Sequence, residues 1–331
     1  MLHATDLSAS RKVNQYKSPN SFETQVAPLE FSSRLLAALD KYLVSLESRP
    51  FRFYRQITGA FQYILGGGLF SRLQGQTQTV QVNSRIFIYK ITAKSACIPT
   101  HSNKAVIYFH GGGFCSGGGL TYRGLCLQLS RLTKQTIYLV DYRLAPDYTA
   151  IEAQKDCLDA IKWIGRQNEI DSYTLAGDSA GAYLAMTCWQ DLYAENSQFL
   201  PEHTCLYYPC FSARLDSFSW KRYGRGYILT RKLMKRFLAS SFPDGNPLEH
   251  LDSRLWLAKS NSHAFSLYTA AYDPLADEGK QLAEKLVAAG HKVRHIFADN
   301  LPHGFLGYWQ ISGTAREVLR FSARELSESL F

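Results

Sequence analysis

Gly177-Asp178-Ser179-Ala180-Gly181 follows the apolar run Tyr173-Thr174-Leu175-Ala176 and precedes Ala182-Tyr183-Leu184-Ala185-Met186-Thr187-Cys188-Trp189, a helix-like segment. A strand, a sharp turn and a helix in that order expose one side chain at the top of a sheet, which makes Ser179 a candidate nucleophile. Glycines two positions to either side suit a strained backbone, where bulkier neighbours would crowd the turn. The helix start adds free N–H groups and a dipole that favour negative charge beside the serine. Alone, Gly-x-Ser-x-Gly also occurs in inert loops, so its meaning depends on partners elsewhere.

The first partner is His110-Gly111-Gly112-Gly113-Phe114, directly after the strand-like Lys104-Ala105-Val106-Ile107-Tyr108-Phe109. Glycines after a strand expose backbone N–H groups at a tight turn, and acyl transfer needs such donors where oxyanion charge develops. Ala180, next to the serine, adds another N–H. A merely flexible loop is the bland alternative, supported by the further runs Gly66-Gly67-Gly68 and Gly117-Gly118-Gly119. A triphosphate loop fits less well, because no Gly-Lys-Ser/Thr element follows.

An activated serine needs a base and a group that orients it. In an open α/β hydrolase sheet these follow in the order acid, then histidine. His303, in Asp299-Asn300-Leu301-Pro302-His303-Gly304-Phe305, sits in a turn-like stretch able to present a side chain, whereas His295 lies inside a strand pattern. Asp273 leaves the expected strand Phe265-Ser266-Leu267-Tyr268-Thr269-Ala270 and precedes Pro274, expected as an early helical residue. A helix cap is the alternative role for Asp273. Asp277 and Glu278 fall in the first helical turn, where acids are common for the dipole alone.

Four segments in this order resemble the hormone-sensitive-lipase-like family of serine esterases, within the α/β hydrolase fold: His110-Gly111-Gly112-Gly113, Gly177-Asp178-Ser179-Ala180-Gly181, Tyr272-Asp273-Pro274-Leu275-Ala276-Asp277-Glu278-Gly279 and Pro302-His303-Gly304-Phe305. Val140-Asp141-Tyr142-Arg143-Leu144-Ala145-Pro146-Asp147 is similar to a fifth family stretch, and the match spans about residues 80 to 310. The resemblance implies Ser179 as nucleophile, Asp273 as acid and His303 as base. It implies an oxyanion hole built from Gly111, Gly112, Gly113 and Ala180, with Gly111 chiefly shaping the turn, and a structural His110. Asp141 and Arg143 would tie the next loop together. Ala182, where the family often has glycine, and Tyr148-Thr149-Ala150 depart from the pattern and bear on pocket shape.

At 331 residues, 46% hydrophobic and 20% charged, the chain can bury a large core. Its strand-helix rhythm predicts a mostly parallel sheet, with strands near 82–91, 105–110, 136–140, 172–176, 203–208, 264–270 and 292–298 and helices near 121–133, 152–167, 182–195, 275–289 and 311–322. Two portions fall outside the rhythm. Leu29 to Leu46 carries leucines at helical spacing, and Phe211 to Ser260 includes an expected helix from Arg231 to Ser240. By resemblance both belong to a helical cap, giving an N-terminal cap segment 1–75, a catalytic domain 76–210 with 261–331, and a cap insertion 211–260. Phe211, Phe218, Trp220, Tyr223 and Tyr227 are candidates to line the substrate pocket beneath it, core packing being their alternative role.

The expected partner is a small neutral ester of short or medium acyl length; a lactone or amide hydrolase, or a non-catalytic binder of the same fold, are the alternatives. No cofactor or metal is expected. A net charge of +9 with a local cluster at Lys221, Arg222 and Arg225 can attract anions, yet no nucleic-acid motif accompanies it. No apolar run reaches transmembrane length, so stable membrane insertion is not expected. Seven cysteines without a compact framework point to reduced thiols and a cytoplasmic setting. A homodimer is compatible with this reading and not specified by it.

Overall fold

The computed structural model describes residues 13–15, 28–30, 34, 49–69, 71–94, 103–167, 169–243 and 262–327. Its first half contains β1 (Val13–Gln15), α1 (Phe51–Leu65), α2 (Ser71–Gln74), β2 (Gly75–Gln81), β3 (Phe87–Ala93), β4 (Lys104–Phe109), α3 (Gly119–Thr133), β5 (Thr136–Asp141) and α4 (Ala150–Arg166). There follow β6 (Ser172–Asp178), α5 (Ala180–Ala194), β7 (His203–Tyr207), α6 (Phe218–Tyr223), α7 (Arg231–Ser241), β8 (Ala264–Tyr272), α8 (Ala276–Ala288), β9 (Lys292–Pro302) and α9 (Gly313–Ser327).

The strands form one sheet in the order β1-β9-β8-β7-β6-β4-β5-β3-β2. Strands β4 to β9 pair in parallel, and β1, β2 and β3 are antiparallel additions at the two edges. Parallel strands are covered on both faces, so they read as unbroken apolar runs. That is the composition of β4, in which every residue after Lys104 is buried. On one face α3 and α9 pack with Tyr108, Leu139 and Ile296; on the other α4, α5 and α8 pack with Ile107, Val140 and Leu267.

Two expected boundaries differ. The strand read as 82–91 straddles a turn, in which Asn83 Oδ1 accepts the N–H groups of Arg85 and Ile86 at 2.8 and 3.1 Å and reverses β2 into β3. Strand β9 runs on to Pro302, four residues beyond the expected end, so His303 stands directly at the strand's C-terminus. The helix expected over Leu29 to Leu46 lies largely outside the described residues. Within the N-terminal segment, Val13–Gln15 pairs with β9 at the sheet edge.

Helices α1, α6 and α7 form a cap at the C-terminal end of the parallel strands. Arg55 of α1 donates from Nε to Cys115 O at 2.6 Å and from Nη2 to Ala145 O. Ser219 of α6 donates its N–H to Asp277 Oδ2 at 2.8 Å and its hydroxyl to Pro274 O at 2.7 Å. Among the described residues no helix is long and apolar enough to cross a membrane.

Candidate active site

Ser179 follows β6 and caps α5 with φ 53° and ψ −116°, a backbone conformation that a residue with a side chain rarely adopts. Its N–H donates to Tyr207 O at 2.9 Å, so the next strand holds the turn. The flanking glycines are required by contact: a Cβ on Gly181 would lie 2.0 Å from Phe109 O, and one on Gly177 2.3 Å from Gly181 O. The turn thus pushes the Ser179 hydroxyl above the sheet.

Three distant residues converge there. Ser179 Oγ lies 2.9 Å from His303 Nε2, and His303 Nδ1 lies 2.8 Å from Asp273 Oδ2. With its proton on Nδ1, the neutral imidazole donates to Asp273 and accepts from Ser179 through Nε2. The second oxygen of Asp273 accepts Leu275 N–H at 2.8 Å, so the same carboxylate that contacts the histidine also braces the turn leading into α8 without serving as its N-cap. Pro274 precedes that helix instead of opening it, because Leu275 is the N-cap. Tyr208 packs its ring edgewise on His303 at 4.9 Å.

Of the loop proposed to bind an oxyanion, Gly112, Gly113 and Ala180 line one cavity together with Ser179 and His303. Gly111 does not. Its N–H donates to Asp178 Oδ1 at 2.9 Å and to Tyr122 Oη at 3.0 Å, which removes it from the set of available donors. Asp178, buried beneath the turn, also accepts the hydroxyls of Tyr108 at 2.9 Å, Tyr122 at 2.9 Å and Tyr208 at 3.2 Å. Burial pushes its carboxyl upward, against the pull of these hydrogen bonds. This hub ties the glycine loop to the serine turn, and sequence reasoning missed it because its three tyrosines lie far apart in the chain. His110 is buried, stacks on Tyr142 at 4.2 Å and bonds Gly111 O through Nδ1 at 2.8 Å, which holds the loop.

The cavity measures about 240 Å³, and its walls are mostly apolar. Tyr54, Phe61 and Leu65 of α1 line one side; Leu233, Met234, Phe237 and Leu238 of α7 line another. The aromatics expected there lie elsewhere. Phe211 packs on Tyr183, Trp220 is buried in the core, Phe218 is 71% exposed, and Tyr223 and Tyr227 cluster with Tyr272. The segment's true lining residues follow the helical period of α7, whose apolar face was legible but passed over for aromatic content.

The remaining expected roles resolve into anchors. Asp141 Oδ1 accepts Gly119 N–H at 3.1 Å and caps α3, whereas Arg143 grips Asp156 with Nε and Nη2, both at 2.8 Å. Asp141 and Arg143 therefore secure neighbouring loops separately. Tyr148 lies under the Arg143 guanidinium at 4.7 Å, and Thr149 forms a capping box with Glu152. Asp277 holds Ser219, and Glu278 is buried with Oε1 accepting Phe211 N–H at 3.2 Å.

Burial, reinforced by the charge of Asp273, pushes the Glu278 carboxyl well above the usual carboxylate range. The folded chain therefore favours its protonated form, and the stability this gives is complete below the unfolded carboxyl's pKa and lost as pH rises through the raised one. Glu278→Gln keeps the acceptor without the charge. Its melting temperature is expected to fall less than the wild type's between about pH 5 and 8. Parallel melting curves across that range refute the effect.

A family model described as the alpha/beta hydrolase fold matches residues 106–307. The ethyl acetate hydrolase of Pseudomonas putida is 32% identical over 241 residues, covering 70% of this chain and 75% of its own. Lipase 2 of Moraxella sp. is 29% identical over 245 residues, covering 62% of this chain and 55% of its own, so the chain spans little more than half of that relative. The Pyrobaculum calidifontis esterase structure aligns with a TM-score of 0.78 at 25% identity, covering 91% of this chain and 98% of its own. The chain belongs to the α/β-hydrolase fold family, in the esterase and lipase group to which the hormone-sensitive-lipase-like proteins also belong.

Proposed function

We propose that the protein is a serine carboxylesterase that hydrolyses neutral esters of short to medium acyl chains through a covalent acyl-enzyme. The carrying observation is the unbroken run of hydrogen bonds from Ser179 through His303 to Asp273, opening on an apolar cavity. His303 Nε2 takes the Ser179 proton as Oγ attacks the ester carbonyl, and Asp273 stabilises the imidazolium that forms. The N–H groups of Gly112, Gly113 and Ala180 receive the tetrahedral oxyanion. The imidazolium returns its proton to the departing alcohol, which leaves the acyl group on Oγ. Water then attacks that ester with His303 again as base, releasing the acid and the free serine.

The substrate class rests on the cavity. Among the described residues no Lys or Arg lines it, which supports an uncharged ester. Its volume of about 240 Å³ is below that of a pocket for a drug-sized ligand, which supports a small one, as does the name of the ethyl acetate hydrolase relative. The same proposal divides the chain into a cap segment 1–75, a catalytic domain 76–210 with 261–331, and a cap insertion 211–260. It also sets the protein in a reducing, cytoplasmic compartment, a reading supported by six described cysteines that are buried free thiols.

A panel of p-nitrophenyl esters from acetate to laurate, with one lactone and one amide, tests this reading alongside mass spectrometry of the quenched enzyme. Turnover is expected to peak at short to medium chains, with an acyl adduct on the Ser179 peptide. Phe237 packs against Gly113, whose Cβ would lie 2.2 Å from the Phe237 ring, so this side chain limits acyl length close to the reacting carbon. Phe237→Ala is expected to move the optimum to longer chains, at a stability cost of about 3 kcal/mol. Binding without acid release or adduct assigns the non-catalytic role instead, and an unchanged optimum removes Phe237 from the acyl wall.

A further inference from the structure

The net charge of +9 is unevenly carried. From Ser48 to Val140 the chain has eleven Lys and Arg and no Asp or Glu; from Phe211 to Pro243 it has eight Lys and Arg and one acid, Asp216. The fold joins parts of both stretches into a belt around the cap. On α6, Phe218, Lys221 and Arg222 share an exposed face. Arg231 N–H donates to Gly224 O at 2.9 Å, which sets the start of α7 against the end of α6. Helix α7 then turns Leu233, Met234 and Phe237 to the cavity and Lys232 and Lys235 to solvent. The Arg236 guanidinium lies 3.8 Å above the Phe51 ring and donates to Arg49 O, which brings in the exposed Arg49 and Arg52 beside α1.

Three lysines elsewhere on the surface pair with acids: Lys90 with Glu169, Lys104 with Glu202 and Lys162 with Glu195. In the belt, Arg49, Arg52, Lys221, Arg222, Arg225 and Lys235 form no ion pair with any described residue. Exposed apolar side chains accompany these cations: Phe218, 71% exposed, on α6 with Lys221 and Arg222, and Phe53, 43% exposed, next to Arg52 on α1; Phe61, 42% exposed and lining the cavity, lies toward the other end of α1.

We propose that this belt is a peripheral docking surface for an anionic lipid bilayer, with the cavity mouth turned toward the lipid. Clustered Lys and Arg are drawn to the negative surface potential of such a membrane, and exposed aromatic and aliphatic side chains gain from entering its interfacial zone. A nucleic-acid backbone would satisfy the cations and leave the exposed Phe218 and Phe53 without purpose. Docking places a source of lipophilic substrate beside the cavity; that consequence rests on the ester-hydrolase reading, whereas docking itself does not.

Sedimentation of the full chain with phosphatidylcholine vesicles, with and without phosphatidylglycerol, tests the surface without turnover. Binding is expected only to the anionic vesicles, and about tenfold weaker at high salt. A triple variant, Lys221→Glu, Arg225→Glu and Lys235→Glu, is expected to bind at least about tenfold more weakly, with its melting temperature and its hydrolysis of a soluble acetate ester unchanged. The proposal is overturned by equal binding to neutral vesicles, by no binding at all, or by variant binding as tight as wild type. Complete displacement by a short DNA duplex at equal phosphate concentration overturns it too, and assigns a general polyanion site.

Discussion

Ser179→Ala is expected to lower kcat/KM for a short-chain ester by about 10⁵-fold while leaving the protein folded. The substitution deletes the atom 2.9 Å from His303 Nε2 and leaves the imidazole, Asp273 and the backbone donors in place. A water molecule activated by His303 would then have to attack directly, without the pre-positioned nucleophile that converts a bimolecular encounter into an intramolecular step. His303→Ala should cost a similar factor. Its loss strands the serine proton, since no other base is within hydrogen-bond reach of Oγ among the described residues. The two losses should not add, because either variant already disables the one relay, and the double variant is expected within about tenfold of either single one. Kinetics with thermal melts on all three variants decide the matter. Retention of a tenth of the wild-type rate by Ser179→Ala, or multiplicative losses, would remove these residues from the relay.

The meeting of Ser179, Asp273 and His303 follows from the sheet, because each side chain comes just after a strand. Apolar runs mark β6 and β8, and Ser179 and Asp273 follow their ends by one residue, whereas β9 mixes Lys292, Arg294 and His295 with apolar residues and His303 was read from the turn-like stretch around it. Parallel pairing then brings these ends to the same edge of the sheet whatever the loop lengths between them. Features created by tertiary packing were hidden. Nothing local distinguishes Phe237, which lines the cavity, from Trp220, which is buried in the core. Both are aromatic residues in short cap helices, and the orientation of those helices decides their fates. Gly111 was grouped with its neighbours because a run of glycines does not say which N–H is already bonded. That depends on Asp178, 67 positions away.

Asp178→Asn should therefore damage both stability and rate. The carboxylate is 3% exposed and accepts four donors: Tyr108 and Gly111 N–H on Oδ1, Tyr122 and Tyr208 on Oδ2. An asparagine can present one oxygen to two of them, and its NH₂ group meets the others as a donor facing donors. At least one buried hydroxyl loses its acceptor, at a cost of about 2 to 3 kcal/mol. The catalytic cost has a separate cause. Gly111 sits so close that a Cβ would lie 2.4 Å from Asp178 Oδ2, so any shift of side chain 178 moves the loop carrying the Gly112 and Gly113 N–H groups. A displacement near 1 Å at such donors can cost about 100-fold, and in the proposed mechanism, where these donors meet the developing oxyanion, the loss should fall on kcat with KM little changed. Tyr108→Phe provides the control, since it removes one donor to the same carboxylate while Gly111 keeps both of its acceptors. Measured well below the melting temperature, Tyr108→Phe should keep kcat within about threefold, whereas Asp178→Asn should lose 10- to 100-fold. Equal kcat in the two variants would reduce Asp178 to a packing residue and break the proposed link between the serine turn and the oxyanion loop.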